Sequence, residues 1–246
     1  MFEPNWLLIT QRAQDSFVLQ CSVWRTEQPD LIISGVQFSA ERFTQSLFQE
    51  YAIVQNINLD QAVIKRKAEY LAGRYCAKQA LKQHFGENQA ICDIPSGKHR
   101  EPIWPTGVLG SITHTNTYAL CAIGDIESLN GIGIDMEEIL ETNNAKELAQ
   151  QIHDQQELKL LTLNNIPINF STTLIFSAKE SIFKALYNNV SGYFGFEVAR
   201  LSKVDTARQS LTFCLDKNFC DKYRLVSHVD CTYFLFENKV LTLCVI

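Results

Sequence analysis

The hydrophobic pattern of this 246-residue chain switches between strand-like and helix-like periods on both sides of a polar connector at residues 124–131. Before the connector, a β-like run at 17–24 and a short helical segment at 41–51 precede a longer helical stretch at 60–85. Asp60 stands where a helix N-cap is expected. A second β-like run follows at 118–123.

After the connector, the same order returns: a short strand at 132–136, helices at 144–163 and 171–188, and several strands in the last stretch of the chain. The pattern predicts an α+β fold of two similar-sized, pseudo-equivalent lobes, each with helices packed on a small, mainly antiparallel sheet. We place the lobes at residues 1–125 and 126–246 and expect a ligand site in a cleft between them.

Composition excludes several classes of protein. Hydrophobic residues make up 46% of the chain, which predicts a compact core, and the formal net charge of −5 with no basic run disfavours nucleic acid as a partner. No segment is long and apolar enough to span a membrane, and the N-terminus lacks the features of a signal peptide. The eight cysteines show no CxxC pair or metal-ligand spacing, so we expect buried thiols and a cytoplasmic location.

The first chemically suggestive segment is GIGIDME at 131–137. In a strand, alternation puts Asp135 and Glu137 on the face opposite Ile132, Ile134 and Met136. Two carboxylates roughly 6–7 Å apart on one face repel each other unless a cation lies between them. A hard divalent cation that bridges to phosphate would meet that need. The alternative is an ordinary strand with a solvated acidic face.

The second segment is FSAKESIFK at 176–184. Helical spacing puts Lys179, Glu180 and Lys184 opposite an apolar stripe made of Ile175, Ala178, Ile182 and Ala185. Glu180 could be a third metal carboxylate or a base, with Lys184 as a phosphate contact. The alternative is a surface ion pair between Glu180 and Lys184, which stand four residues apart.

The third segment is a basic helix edge. Arg66, Tyr70 and Arg74 recur at steps of four, and two guanidinium groups stacked in this way suit a phosphomonoester. Gly73 is costly inside a helix, which indicates close packing or an approaching ligand. The alternative is a solvated basic face.

The fourth segment is a loop at 95–110 rich in glycine and proline, which restricts its conformation and allows a ligand close to the backbone. The segment ends in three polar side chains able to bind phosphate: Ser111, Thr113 and His114. A lone histidine is more often structural, but His114 stands where a loop enters a strand, a common position for a ligand contact.

Together these segments resemble the Sfp-type 4′-phosphopantetheinyl transferases, and more closely the branch of that family like enterobactin synthase component D. The family motifs GxDxE and (W/F)xxKExxxK match residues 133–137 and 176–184, and RxxEFxxxR and PxWPxGxxGSxxH match 66–74 and 102–114. The resemblance covers about residues 60–190. The departures are mild: tyrosine replaces phenylalanine in the basic helix, phenylalanine replaces the common tryptophan at position 176, and threonine the common serine at 113.

The resemblance implies a site for coenzyme A, with the nucleotide on the N-terminal lobe and the catalytic carboxylates on the C-terminal lobe. Magnesium, or manganese in its place, would be held by Asp135, Glu137 and Glu180. Lys184 would contact the pyrophosphate and stabilise the leaving oxyanion. The 3′-phosphate would be bound by Arg66 and Arg74, and the nucleotide would be supported by Lys98 or Arg100, Thr113 and His114.

The implied reaction moves the phosphopantetheine arm of coenzyme A to a serine of an acyl or peptidyl carrier protein, and releases 3′,5′-ADP. Glu180 is the first candidate for the base, either directly or through water. Two other functions share these residues: a metal-dependent hydrolase of coenzyme A or nucleotide pyrophosphate, and a non-catalytic protein that binds coenzyme A or a carrier. A monomer is the expected state.

Overall fold

The computed structural model describes residues 6–27, 29–56, 59–86, 93–164 and 166–246. The chain divides into two compact units, one ending at Ser128 and the other running from Leu129 to Ile246. In the described residues, each unit has one five-stranded antiparallel sheet and one long helix. The predicted α+β architecture with helices on two antiparallel sheets is therefore confirmed.

The N-terminal unit has five strands in the order β1-β2-β3-β5-β4, with every neighbouring pair antiparallel. Its elements are β1 (Leu7–Arg12), β2 (Val18–Arg25), β3 (Ile32–Phe38), α1 (Leu47–Glu50), α2 (Ile64–Phe85), β4 (Val108–His114) and β5 (Tyr118–Asp125). Helix α2 packs on the sheet mainly through β3 and β5. The core between them is apolar and includes Leu71, Leu81 and Ile123.

The C-terminal unit repeats this plan with the strand order β6-β10-β9-β8-β7, again antiparallel throughout. Its elements are β6 (Ile132–Glu138), α3 (Thr142–Ile152), α4 (Gln155–Leu163), α5 (Ile168–Val190), β7 (Ala199–Asp205), β8 (Ser210–Leu215), α6 (Lys217–Tyr223), β9 (His228–Phe236) and β10 (Lys239–Val245). Helix α5 packs on β6 and β10. No helix in the described residues has the length and apolar character needed to cross a bilayer.

The single helix predicted at 144–163 is wrong, because the structure has two helices there. His153 is in an extended conformation and ends α3. Asp154 then caps α4: its carboxylate accepts hydrogen bonds from the backbone N–H groups of Gln156 and Glu157, while the Glu157 side chain accepts from the Asp154 N–H. This capping box starts a new helix and satisfies its first donors.

Two helix boundaries in the N-terminal unit also differ from the prediction. Helix α2 begins at Ile64, and Asp60 does not cap it, because the Asp60 carboxylate accepts a hydrogen bond from the Gln55 side chain instead. The helix predicted at 41–51 is reduced to a 3₁₀ turn at Ala40–Arg42 and the single turn of α1.

The seven cysteines in the described residues are free thiols, and six of them are buried. Burial raises the pKa of the Cys76 thiol well above its ordinary value, and the same cause raises that of Cys231. The prediction of buried structural thiols is confirmed for these six positions; Cys214 is only partly buried, and Cys92 lies outside the described residues.

Candidate active site

A cavity of about 280 Å³ opens beside α2 in the N-terminal unit. The basic residues predicted on one helix edge, Arg66 and Arg74, both line it, together with His114 at the end of β4. The other lining residues are Asn56, Leu59, Ala62, Glu69, Tyr70, Gly73, Ser96, Arg100, Pro102 and Ile112. The edge is therefore the wall of a cavity and not a solvated face.

Arg74 is the most deeply placed cation of this cavity, with only 7% of its surface exposed. Its Nη2 donates a hydrogen bond to Ser96 Oγ at 2.9 Å, and its guanidinium lies 4.8 Å from the ring centroid of Tyr70. Within the described part of the chain it forms no ion pair, and its buried Nε has no hydrogen-bond partner. A buried charge of this kind is costly unless an anion compensates it, so the cavity is suited to an anionic ligand.

Arg66 and His114 meet at the mouth of the same cavity. Arg66 Nη1 lies 2.7 Å from His114 Nε2, and the Glu69 carboxylate lies 3.6 Å from Arg66 Nη1 and 3.8 Å from His114 Nδ1. Because the Arg66 guanidinium can only donate, His114 Nε2 is the acceptor of this contact and its proton is on Nδ1, on the side of Glu69. The Glu69 carboxylate therefore faces both phosphate-binding candidates.

Two glycines let α2, β4 and the preceding loop come together around the cavity. A Cβ on Gly73 would lie 3.1 Å from Ile112 Cγ2, and one on Gly110 would lie 2.7 Å from the Trp104 ring. Close packing at Gly73, one of the two predicted reasons for a glycine in the helix, is therefore confirmed. The Trp104–Gly110 contact explains the spacing of tryptophan and glycine in the loop.

The structure separates the remaining nucleotide-binding candidates. Arg100 lines the cavity and has a positive φ of 71°. Lys98 is exposed in the same loop but does not line the cavity. Thr113 is buried on the face of β4 opposite to Ile112 and His114, and it does not line the cavity either. Of the paired alternatives Lys98 and Arg100, the geometry favours Arg100.

In the C-terminal unit, strand β6 runs very close to helix α5. A Cβ on Gly133 would lie 1.7 Å from the Ser181 carbonyl oxygen, and one on Gly131 would lie 2.1 Å from that of Ala185. Only glycine fits at either position. Since residues alternate along a strand, Asp135 and Glu137 point to the same side as these glycines, toward the helix. The solvated acidic face considered as an alternative is therefore wrong for Asp135, of which only 4% is exposed.

The side chain of Lys184 extends from α5 to the face of β6 that carries Asp135 and Glu137. Its Nζ donates to Asp135 Oδ1 at 2.7 Å and to the Ile134 carbonyl at 3.0 Å. The surface ion pair that Glu180 and Lys184 could form within the helix is therefore replaced by a cross-link between α5 and β6. This contact stabilises Lys184 more than the helix neighbour would, because the buried Asp135 offers a short, charge-assisted bond.

Glu137 and Glu180 both have raised pKa values. Burial is the main cause of a Glu137 pKa of about 7, and repulsion from Asp135 and Glu180 adds to it while Lys184 opposes it. Burial also raises the pKa of Glu180, with Lys184 lowering it and Asp135 raising it. The three predicted carboxylates and Lys184 thus act on one another electrostatically, at the meeting of α5 and β6.

Among the described residues, no three His, Cys, Asp or Glu side chains are arranged as a ready metal site. The donor set nevertheless fits a hard divalent cation, because it consists of carboxylates whose negative charges are destabilised by burial and mutual repulsion. A cation bound there would offset both the cost of burying the carboxylates and their mutual repulsion.

Lys179 is placed differently from the prediction. It was expected with Glu180 and Lys184 on the polar side of the helix, but only 4% of it is exposed, and it pairs with the equally buried Glu157. Helix α5 is covered on more than one side, so its polar residues do not all face one direction. This segment therefore supplies one residue to the interior and two to the acidic face.

Three residues of these sites were not among the predicted contacts: Glu69, Ser96 and Glu157. Glu69 stands three residues after Arg66, the spacing of helix neighbours, so that signal was present in the sequence. Ser96 and Glu157 are brought in by a loop and by a capping box, whose distant partners no local pattern indicates.

Comparisons with known proteins agree with this arrangement. Residues 54–124 match the family model of the 4′-phosphopantetheinyl transferase N-terminal domain, and residues 131–244 match that of the 4′-phosphopantetheinyl transferase superfamily. Enterobactin synthase component D of Salmonella typhi is 36% identical over 185 residues, which cover 74% of this chain and 75% of that protein. The protein of the same name from Escherichia coli K12 is 37% identical over 59% of this chain and 67% of its own length.

The 4′-phosphopantetheinyl transferase PptT of Mycobacterium tuberculosis is 30% identical over 58% of this chain and 60% of its own. The two family models fall on the two units, and each includes the candidate residues of its unit: the cation-lined cavity in the first and the carboxylates with Lys184 in the second. The chain belongs to the 4′-phosphopantetheinyl transferase superfamily.

Proposed function

We propose that this chain transfers the 4′-phosphopantetheine arm of coenzyme A to a serine of an apo acyl or peptidyl carrier protein, leaving 3′,5′-ADP. The observation that carries the proposal is the grouping of Asp135, Glu137, Glu180 and Lys184 at α5 and β6, within the segment that matches the superfamily. The relatives named as 4′-phosphopantetheinyl transferases support the same reaction.

In this proposal the N-terminal unit binds the nucleotide of coenzyme A. The 3′-phosphate is the anion that compensates buried Arg74, with Arg66 and His114 at the mouth of the cavity. Arg100 supports the nucleotide from the loop. Contacts of Lys98 and Thr113 with the ligand stay predictions from the family motif, since neither lines the cavity.

The C-terminal unit is proposed to bind the pyrophosphate. Asp135, Glu137 and Glu180 would hold magnesium or manganese, which when bound would neutralise phosphate oxygens. Lys184 is already held at this centre through Asp135 and would contact the pyrophosphate as a second source of positive charge. Its charge would then stabilise the oxyanion of the leaving 3′,5′-ADP.

The chemical step forms a bond from the acceptor serine Oγ to the β-phosphorus of coenzyme A and breaks the bond from that phosphorus to the bridging oxygen. The serine proton must leave as this happens, and Glu180 is the proposed base, directly or through water. Its pKa is raised, which makes it a better proton acceptor than an ordinary exposed glutamate. A monomeric state and a cytoplasmic location belong to the same proposal.

The experiment that tests the proposal offers coenzyme A and magnesium to a panel of apo-carrier proteins and measures their mass. We expect one carrier or more to gain a phosphopantetheine group, with activity lost on chelation and restored by magnesium. Release of 3′,5′-ADP without any carrier would indicate a pyrophosphate hydrolase instead. Binding of coenzyme A with neither product would indicate a non-catalytic binding protein.

The Glu180→Gln variant is the matched control for this assay, because it removes the proposed base and metal ligand while keeping the shape of the side chain. We expect it to fold and to lose transfer. Full activity of this variant would overturn the assignment of Glu180.

The cavity is tested separately with Arg74→Ala. We expect this variant to lose affinity for coenzyme A far more than for dephospho-coenzyme A, which lacks the 3′-phosphate. Equal loss for both ligands would contradict a 3′-phosphate contact at Arg74.

A further inference from the structure

Lys179, next to Glu180 in α5, forms a buried ion pair with Glu157. Lys179 and Glu157 are 4% and 2% exposed, and Lys179 Nζ lies 2.9 Å from Glu157 Oε1 and 3.0 Å from Oε2. Lys179 is the immediate neighbour of Glu180 in α5. It is a charged residue of the matched motif, yet it bonds away from the carboxylates.

Every charged atom of the pair is saturated with hydrogen bonds. Lys179 Nζ also donates to the Ile152 carbonyl at 2.9 Å, at the end of α3 where the helix dipole is negative. Glu157 Oε1 accepts from the Leu201 N–H at 2.8 Å, and Oε2 accepts from the Asp154 N–H at 2.9 Å. The pair therefore joins the end of α3, the start of α4, the middle of α5 and strand β7.

A buried ion pair of this kind adds little net stability to the fold. Burying two charges costs much of what their attraction returns, and apolar residues of similar volume often serve as well. A charged pair with all its hydrogen bonds formed also fixes the orientation of the elements that it joins, because hydrogen bonds are directional whereas apolar contacts tolerate rotation. The position of Lys179 in α5 indicates that the orientation in question is the rotation of this helix about its axis.

Helix α5 is held from two sides. Ser181, at about 200° around the helix from Lys179, packs its carbonyl against Gly133 and hydrogen-bonds through its hydroxyl to Thr242 at 2.8 Å. Lys179 anchors the other side. With the two sides fixed, Glu180 lies on the same side of the helix as Lys184, four residues further on, which bonds Asp135 on the acidic face of β6.

We propose that Lys179 and Glu157 are positioning residues that set the rotation of α5 and so aim Glu180 at the metal and pyrophosphate of the transfer reaction. Neither touches the reacting atoms. The proposal rests on the proposed function and assigns a role to the one motif lysine that the reaction itself does not use.

The test neutralises the pair with Lys179→Met/Glu157→Gln, which keeps side-chain volume and one acceptor oxygen for the buried N–H groups. We expect a folded protein whose kcat falls about 10- to 100-fold and whose Mn²⁺ dissociation constant, measured from the EPR signal of the free ion with coenzyme A present, rises by a similar factor. Binding of 3′,5′-ADP should stay as in the parent chain. High Mn²⁺ concentration should restore part of the lost activity.

Leu211→Ala is the control for a general loss of stability, because Leu211 is fully buried in the core of the same unit and its strand partners are Val204 and Cys231. It should lower the melting temperature and leave Mn²⁺ affinity unchanged. The Glu157→Gln single variant takes over if the double variant does not fold.

A folded pair variant with parental kcat and Mn²⁺ affinity would overturn the positioning role. So would failure of both variants to fold, since the pair would then hold the unit together and not orient Glu180. Failure of the proposed function has a different signature, namely absence of transfer by the unaltered chain.

Discussion

The ammonium group of Lys184 lies 2.7 Å from Oδ1 of Asp135 and ties the C-terminal part of α5 to the middle of β6. Lys184 is 26% exposed at its side chain and Asp135 only 5%, so the lysine is the member of the pair that solvent and ligands can reach. In the ligand-free chain this contact compensates a buried carboxylate. We therefore expect the pair to serve stability as well as the reaction.

Replacing Lys184 by methionine should lower both the free energy of unfolding and the transfer activity. Asp135 would lose its cation, so we expect the free energy of unfolding to fall by about 1–3 kcal/mol and transfer to fall roughly 100-fold or more. Urea unfolding and the carrier assay measure the two effects. Lys184→Met/Asp135→Asn removes both charges and should regain most of the stability but none of the activity. If the double variant were as unstable as the single one, Asp135 would not be the reason for the loss.

The raised pKa of Glu137 predicts how stability depends on pH. The folded chain keeps a proton on Glu137 up to about pH 7, whereas the unfolded chain releases it near the ordinary value of 4.5. Between these values the folded state binds more protons, so the free energy of unfolding should fall as pH rises from 4.5 to 7 and then level off. The expected contribution is about 1–3 kcal/mol.

Glu137→Gln should flatten this dependence, and unfolding in urea at intervals of pH across that range measures it. Asp221→Asn, at an exposed carboxylate on α6, is the matched control and should keep the parental slope. Equal slopes for the parent and Glu137→Gln would show that Glu137 does not titrate in this range.

Much of this fold was readable from the sequence because its signals are local. The apolar spacing in α2 and α5 and the alternation in β6 follow from periodicity, and they placed Arg66 and Arg74 together, and Asp135 and Glu137 together. The break between α3 and α4 was missed because it depends on a competition between a continuous helix and the Asp154 cap, which local propensity does not decide.

The partners of charged side chains were the less predictable part of the site. Helical spacing alone predicts Glu180 as the partner of Lys184. Nothing in the local sequence indicates that Lys184 bonds Asp135, 49 residues earlier, or that Lys179 pairs with Glu157. These pairings follow from the close approach of α5 to β6 and from the covering of its other side, which are properties of the folded unit. The glycines at 131 and 133 were the available hint, since they permit that approach.

Glu69→Gln tests whether the carboxylate beneath Arg66 and His114 helps to bind phosphate. Glutamine keeps the size of the side chain but removes the negative charge that faces both residues, so, if that charge orients them, affinity for 3′,5′-ADP should fall on the order of tenfold. Affinity for 5′-AMP, which lacks the 3′-phosphate, should change little. Calorimetric titration measures both, with Glu41→Gln at an exposed position as the control. Unchanged binding of 3′,5′-ADP would refute the orienting role of Glu69.

The contact of β6 with α5 predicts a large difference between two glycine substitutions. In Gly133→Ala the new methyl group would lie 1.7 Å from the Ser181 carbonyl oxygen, a backbone atom that can yield only if the helix moves. The helix would be pushed from the strand that carries Asp135 and Glu137. We expect the free energy of unfolding to fall by about 3 kcal/mol or more and transfer to be lost with it.

Gly192→Ala is the matched control, since the nearest atom to its Cβ is the Val190 carbonyl oxygen at 3.8 Å, an ordinary contact. It should be close to neutral in both stability and activity. Urea unfolding of the two variants, together with their Mn²⁺ affinities, separates loss of packing from loss of the centre. A Gly133→Ala protein as stable and active as Gly192→Ala would show that α5 is free to move away from β6. That result would refute the proposal that packing against β6 fixes the orientation of Glu180.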